Sequence, residues 1–170
     1  MQEHEGLITS HGKPLTLLGN EVKVGDKAPD FTVLDNNMKV VHLGDYAGKI
    51  LILSSVPSLD TPTCSIETGK FNHEAENLPD DVKILTISMD LPFAQKRWCA
   101  AEGVEKVQTL SDHRDASFGE NYGVLIKGWR LLARVIFVVD KAGIVRYKQI
   151  VKETSSEPDY EPVLEAVKAL

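Results

Sequence analysis

The chain has 170 residues, 42% of them hydrophobic and 26% charged, with a formal net charge of −6. One domain spanning 1–170 can bury enough apolar surface to stand without disulfide or metal staples. The acidic balance argues against a nucleic acid or an anionic membrane as partner, since both need clustered cations, and no apolar run reaches the roughly 18 residues of a membrane span.

Met1 to Glu5 is polar and acidic, unlike the basic start and apolar core of a signal peptide, so a cytoplasmic location is expected. In that reducing setting Cys64 and Cys99 are candidates for chemistry rather than for a structural bridge. Leu7–Ser10 and Leu15–Leu18 flank His11-Gly12-Lys13-Pro14 and read as an N-terminal β-hairpin. Phe31–Leu34 and Val40–Leu43, around Asn36-Asn37, form a second hairpin-like pair. Ile50–Leu53 is a continuous apolar run, the pattern of a strand buried on both faces. Ile66, Phe71, Ala75 and Leu78 then predict a helix over about 62–78, with Gly69 as a weak point. Val82–Met89 is a second buried strand. Phe93 and Trp98 mark a helix over about 93–102, stopped by Gly103. Ala133–Val139 is a third buried strand and returns through Asp140-Lys141-Ala142-Gly143 into 144–151. Tyr160, Val163, Leu164 and Val167 place an amphipathic helix at the end.

Strand, helix, strand, helix in the middle requires right-handed parallel crossovers, and the last hairpin adds antiparallel strands. The expected class is therefore α/β, a thioredoxin-like fold with a mixed central sheet flanked by helices. Open α/β sheets carry their sites at the carboxyl ends of strands, which directs attention to the segment after 50–55.

That segment runs Pro57-Ser58-Leu59-Asp60-Thr61-Pro62-Thr63-Cys64. Thr61 suits an N-cap and Pro62 a first helical residue, so Cys64 falls in a first turn. Free N–H groups and the helix dipole there favour an anion, one of the environments that lower a thiol pKa. The plainer alternative is that Cys64 is a small apolar filler under the helix, as most free cysteines are. The histidines (His4, His11, His42, His73 and His113) show no metal-ligand spacing with either cysteine, so no metal is expected, and no glycine-rich phosphate loop suggests an organic cofactor. A Cys–His hydrolase would need one of them brought beside Cys64. Arg97, Arg130 and Arg134 are all candidates for an active-site cation, and Trp98 and Trp129 for packing or rim residues.

Five stretches in order resemble the thiol peroxidase branch of the peroxiredoxins: Pro57-x3-Thr61-x2-Cys64, Leu91-Pro92-Phe93-Ala94-Gln95-x3-Cys99, Ser111-Asp112-His113-Arg114, Leu132-Ala133-Arg134 and Pro158-Asp159-Tyr160-Glu161. The resemblance covers nearly the whole chain. It implies a thioredoxin-like fold and an antioxidant peroxidase that reduces hydrogen peroxide and organic hydroperoxides. In that family's terms Cys64 is the peroxidatic cysteine, Thr61 aims its hydroxyl at the thiolate and peroxide, Pro57 shields the site, and Arg134 holds the thiolate. Cys99 is the resolving cysteine, which pairs with Cys64 as an intrachain disulfide. The resemblance further implies a homodimer recycled by thioredoxin. A protein thiol–disulfide oxidoreductase is the alternative, although it normally uses C-x-x-C, absent here; a redox-sensing module is another.

A thiol of pKa ~8.5 is ~3% ionised at pH 7 and one of pKa ~6 is ~90% ionised, but nucleophilicity falls with basicity, so ionisation alone yields a few-fold. The rest of a peroxidase's rate must come from donors that stabilise charge on the leaving oxygen, each worth ~3 kcal/mol. Arg134, at the start of a strand, is expected to extend its charge towards the sheet edge. Cys99, about six residues into its helix, lies ~9 Å along the axis from the helix start, beyond the ~4.4–6.8 Å between Cα atoms that a disulfide allows. Forming a Cys64–Cys99 bond is therefore expected to unwind one or both helix ends, foremost the segment 92–103.

Overall fold

In a computed structural model describing residues 1–170, the first elements are the hairpin β1 (Glu3–Ser10) and β2 (Lys13–Leu18), then β3 (Thr32–Leu34) and β4 (Val40–His42). The central run is β5 (Ile50–Ser55), α1 (Pro62–Ala75), β6 (Val82–Ser88), α2 (Pro92–Glu102) and β7 (Val107–Ser111). The chain closes with α3 (Ser117–Tyr122), β8 (Leu125–Ile126), β9 (Val135–Val139), β10 (Val145–Ile150) and α4 (Tyr160–Lys168). Seven strands form one sheet in the order β10-β9-β5-β6-β7-β3-β4, parallel only at β5-β6-β7. This is the expected mixed sheet. The hairpin forms a separate three-stranded sheet, β1-β2-β8.

Alternation along the strands divides the core in two. Leu51, Leu53, Leu85, Ile87, Leu110 and Phe137 point to the face covered by α3 and the hairpin, with Phe118 and Tyr122 stacked there at 4.3 Å. Ile50, Ile52, Ile84, Val107, Ile136 and Val138 point to the other face, against α1, α2 and α4. Towards the carboxyl ends of β5, β6 and β7 this second face changes character. Ser54, Thr86 and Thr109 stand side by side in register, one pleat beyond Ile52, Ile84 and Val107. A buried polar row thus lies beneath the helices, meeting α1 at Glu67 and α2 at Cys99.

Phe71, Trp98, Val163 and Val167 are buried as the apolar spacing predicts, but Ile66 and Phe93 are not. In α1 the buried residues are Cys64, Glu67, Thr68 and Phe71, while Ile66 is 49% exposed. In α2 they are Pro92, Gln95 and Trp98, and Phe93 is 66% exposed. Polar partners are the cause: Glu67 is held by Ser54 and Arg134, and Gln95 by Ser88 and the Leu110 carbonyl, so the helices bury these side chains in place of Ile66 and Phe93. Helix α1 also ends at Ala75, ahead of Leu78, and β9 begins at Val135 rather than Ala133. Gly103 closes α2 in the left-handed conformation, with φ 66°. No helix is long and apolar enough to cross a membrane.

Candidate active site

The loop after β5 delivers Cys64. Val56, Pro57 and Leu59 are buried, and Thr61 caps α1 as its spacing predicts. The Thr61 hydroxyl accepts from the Cys64 amide at 3.4 Å and donates to the Ser58 carbonyl at 2.9 Å. Its proton is thus engaged with the backbone, away from the sulfur. Pro62 at the first helical position needs no partner for an N–H.

Cys64 has no exposed surface, and its sulfur accepts a hydrogen bond from Arg134 Nη1 at 3.2 Å. Arg134 precedes β9 and is 1% exposed, so its charge lies inside the molecule; the expectation that it reaches the sheet edge is corrected. Its strand neighbours place it on the α1 face, and three partners compensate its burial there. Nη1 also donates to Glu67 Oε2 at 2.6 Å, and Nη2 to the Thr154 carbonyl at 2.8 Å. The Nε–H is buried with no partner. Arg97 and Arg130 are both exposed, which separates Arg134 from its two rivals.

Glu67 is the participant the sequence did not reveal. It lies one turn after Cys64 on α1, fully buried, and its Oε1 accepts from the Ser54 hydroxyl at 3.1 Å. Burial raises its carboxyl above the ordinary range, against Arg134 and Ser54, which pull it down. Burial also opposes the charge on Arg134, but Cys64 and Glu67 together hold that guanidinium above its ordinary value. One cation therefore serves two acidic side chains in a space without water's dielectric.

Cys99 lies near the end of α2 and is half-buried. Its sulfur is 3.4 Å from the Thr109 hydroxyl and 4.0 Å from the Asn36 amide nitrogen. It lines an open cleft of about 420 Å³ that also includes Asn36, Tyr46 and Lys83. Both cysteines are free, and their sulfurs have different partners. Both nevertheless belong to helices over the same polar row: Glu67 bonds Ser54 at one end, and Cys99 meets Thr109 at the other. Thr86, between them, has a buried hydroxyl with no partner. No three of the His, Cys, Asp and Glu side chains gather in a metal-binding cluster.

The family model described as Redoxin matches residues 23–164. The thiol peroxidase of Oceanobacillus iheyensis is 58% identical over 157 residues, 92% of this chain and 95% of that protein. The thiol peroxidase of Bacillus subtilis is 56% identical over 163 residues, covering 96% and 97%. Among solved structures, a peroxiredoxin-like protein from Aquifex aeolicus superposes with a TM-score of 0.90 at 39% identity, covering 98% of each chain. The thiol peroxidase from Chromobacterium violaceum shares the fold, with a TM-score of 0.85 at 19% identity over 95% of each chain.

Proposed function

This chain belongs to the redoxin family, and from that premise we propose that Cys64, activated by Arg134, is the residue that attacks peroxide. The enzyme is a thiol-dependent peroxidase, an oxidoreductase with the thioredoxin-like fold. The assignment of roles within it is our reading. The observation that carries it is the buried guanidinium 3.2 Å from the Cys64 sulfur.

In this reading the Cys64 thiolate attacks the terminal oxygen of ROOH. The S–O bond forms as the O–O bond breaks, and the alkoxide leaves as ROH after taking a proton. Arg134 stabilises the thiolate before attack and the charge moving onto oxygen during it. Its unpartnered Nε–H is a donor with no protein acceptor to give up. Thr61 fixes Cys64 in the first turn, and its hydroxyl reaches the peroxide once the Ser58 carbonyl is released. Pro57 and Leu59 exclude water. Cys64 is left as a sulfenic acid, which the Cys99 thiol attacks, forming the disulfide and releasing water. A dithiol such as thioredoxin then restores both thiols.

Several finer points complete the proposal. The whole chain acts as one domain, supported by the bonds that tie the hairpin to the 150s, Thr9 N to the Lys152 carbonyl at 2.7 Å and Thr154 N to the Thr9 carbonyl at 2.9 Å. It works as a homodimer in the cytoplasm, needs neither metal nor organic cofactor, and accepts both hydrogen peroxide and organic hydroperoxides. The test is steady-state consumption of each peroxide with a thioredoxin system. Wild type should turn over both with metals chelated, and Cys64→Ser neither. Turnover by Cys64→Ser, or failure of thioredoxin to support the wild type, would contradict the corresponding part of the reading.

A further inference from the structure

Asp90 joins the loop that leads to Cys64 to the start of the helix that carries Cys99. It follows β6, immediately before Leu91 and Pro92 at the start of α2. That start has no side-chain cap of its own: Leu91 occupies the cap position and supplies no hydrogen bond. The neighbouring carboxylate could serve it, yet it turns to the Cys64 loop. Asp90 Oδ1 accepts from the Ser58 hydroxyl at 2.7 Å, and Oδ2 from the Leu59 amide at 2.8 Å. Oδ2 also accepts from the Ser88 hydroxyl at 2.7 Å. The other side of this knot is α2 itself. Gln95 Nε2 donates to Ser88 Oγ at 3.0 Å and to the Leu110 carbonyl at 2.8 Å, and the Ser111 hydroxyl donates to the Asp90 carbonyl. No cation contacts the carboxylate, so hydroxyl and amide donors alone satisfy it.

We infer that Asp90 is a positioning residue, a latch that holds the Cys64 loop and the start of α2 together and so sets how fast oxidised Cys64 reaches Cys99. The inference rests on the proposed resolution by Cys99. Whether the loop at 57–61 or the first turn of α2 opens, the Ser58 and Leu59 bonds to Asp90 lie between the moving part and the fixed part. While the latch holds, a sulfenic acid on Cys64 waits in its folded site, where a second peroxide can carry it to the sulfinic state. Bonds to a charged acceptor are each worth a factor of about 10 to 100 in an opening equilibrium. Asparagine is neutral, and its N–H₂ group can meet only the Ser58 hydroxyl, reversed as an acceptor, so Asp90→Asn weakens every one of these bonds by removing the charge.

The test compares wild type, Asp90→Asn and Ser58→Ala, the last removing only the loop's hydroxyl. After one equivalent of peroxide, quenched peptide mapping should show the Cys64–Cys99 disulfide forming about tenfold faster in Asp90→Asn than in wild type. The sulfinic fraction at high peroxide should fall in step. Hydrogen exchange in the reduced proteins should quicken together at 57–61 and 91–95, leaving β5 and β9 unchanged. Ser58→Ala should show the same changes more weakly, and adding it to Asp90→Asn should change little further. Unaltered disulfide and sulfinic yields in both variants, or exchange that quickens uniformly, would overturn the latch. A wild type that forms no Cys64–Cys99 disulfide would instead overturn resolution by Cys99, and coupled exchange at the two segments would still report on the latch.

Discussion

Replacing Arg134 separates what it does for the fold from what it does for the chemistry. Arg134→Met keeps an unbranched apolar side chain of similar length but deletes the charge and every donor. Glu67 is then left in the interior with only the Ser54 hydroxyl, 3.1 Å away. Breaking a buried pair from one side costs about 3–5 kcal/mol, because the remaining charge is uncompensated. For a chain of this size that is a fall of about 10 °C in Tm. Adding Glu67→Gln removes the stranded charge, and replacing both members of a buried pair is often close to neutral. The double variant should therefore recover most of the lost stability. Its reaction with peroxide should not recover. The bond at 3.2 Å to the Cys64 sulfur is still missing, and losing one charge-directed donor costs about 10²–10³ in rate. Denaturant unfolding of the three variants gives the first quantity, and stopped-flow oxidation by hydrogen peroxide the second. A double variant that regains the wild-type rate would show that the guanidinium acts through the fold alone.

Further outcomes follow from other parts of the structure. Asp112 anchors α3 by accepting from the Phe118 and Gly119 amides, and burial pushes its carboxyl up to about 6 from an ordinary 3.8, against those amides, which lower it. Between those values the folded state binds more protons than the unfolded state. Its contribution is therefore full below pH ~4 and is lost as pH rises through ~6, by up to about 3 kcal/mol. Unfolding free energies over that range should show the decline in wild type and lack most of it in Asp112→Asn. Gly123 ends α3 with φ 69°, and an added Cβ would lie 2.4 Å from the Asn20 carbonyl oxygen. Gly123→Ala should cost more than the ~1–2 kcal/mol of the left-handed conformation alone, read from the denaturation midpoint. Peroxide-treated wild type should carry its Cys64–Cys99 disulfide within one chain and run as a monomer on a denaturing, non-reducing gel. A disulfide-linked dimer as the main product would place resolution between chains.

Where local chemistry decided the structure, the sequence was sufficient. The apolar run of β5, the Thr61-Pro62 helix start, the Gly103 stop and the turn at Asp140–Gly143 each carry their own signal. The missed elements depend on distant partners. Strand β7 contains Gln108 and Thr109, whose polarity hides a strand that is defined by parallel pairing with β6. Strand β8 has two residues and exists through its pairing with Leu17 and Leu18. Helix α3 takes its amide acceptor from Asp112, outside the usual cap position. Glu67 was hidden for a similar reason. A glutamate on a helix ordinarily faces water, and only the arrival of Arg134 from another strand makes its burial tenable. Ile66 and Phe93 lie outside because aliphatic spacing ignores the polar partners that the sheet offers to Glu67 and Gln95.

The most direct test of the account uses Cys99→Ser, in which the first chemical step cannot proceed to an intrachain disulfide. One equivalent of hydrogen peroxide is added, the sulfenic acid is trapped with a selective carbon nucleophile, and the peptides are mapped by mass. The account predicts stoichiometric consumption of peroxide, with the trapped adduct on Cys64 and none formed when Arg134→Met is assayed at the same early time point. An adduct on any other residue, or peroxide left unconsumed while Cys64 remains a thiol, would contradict it.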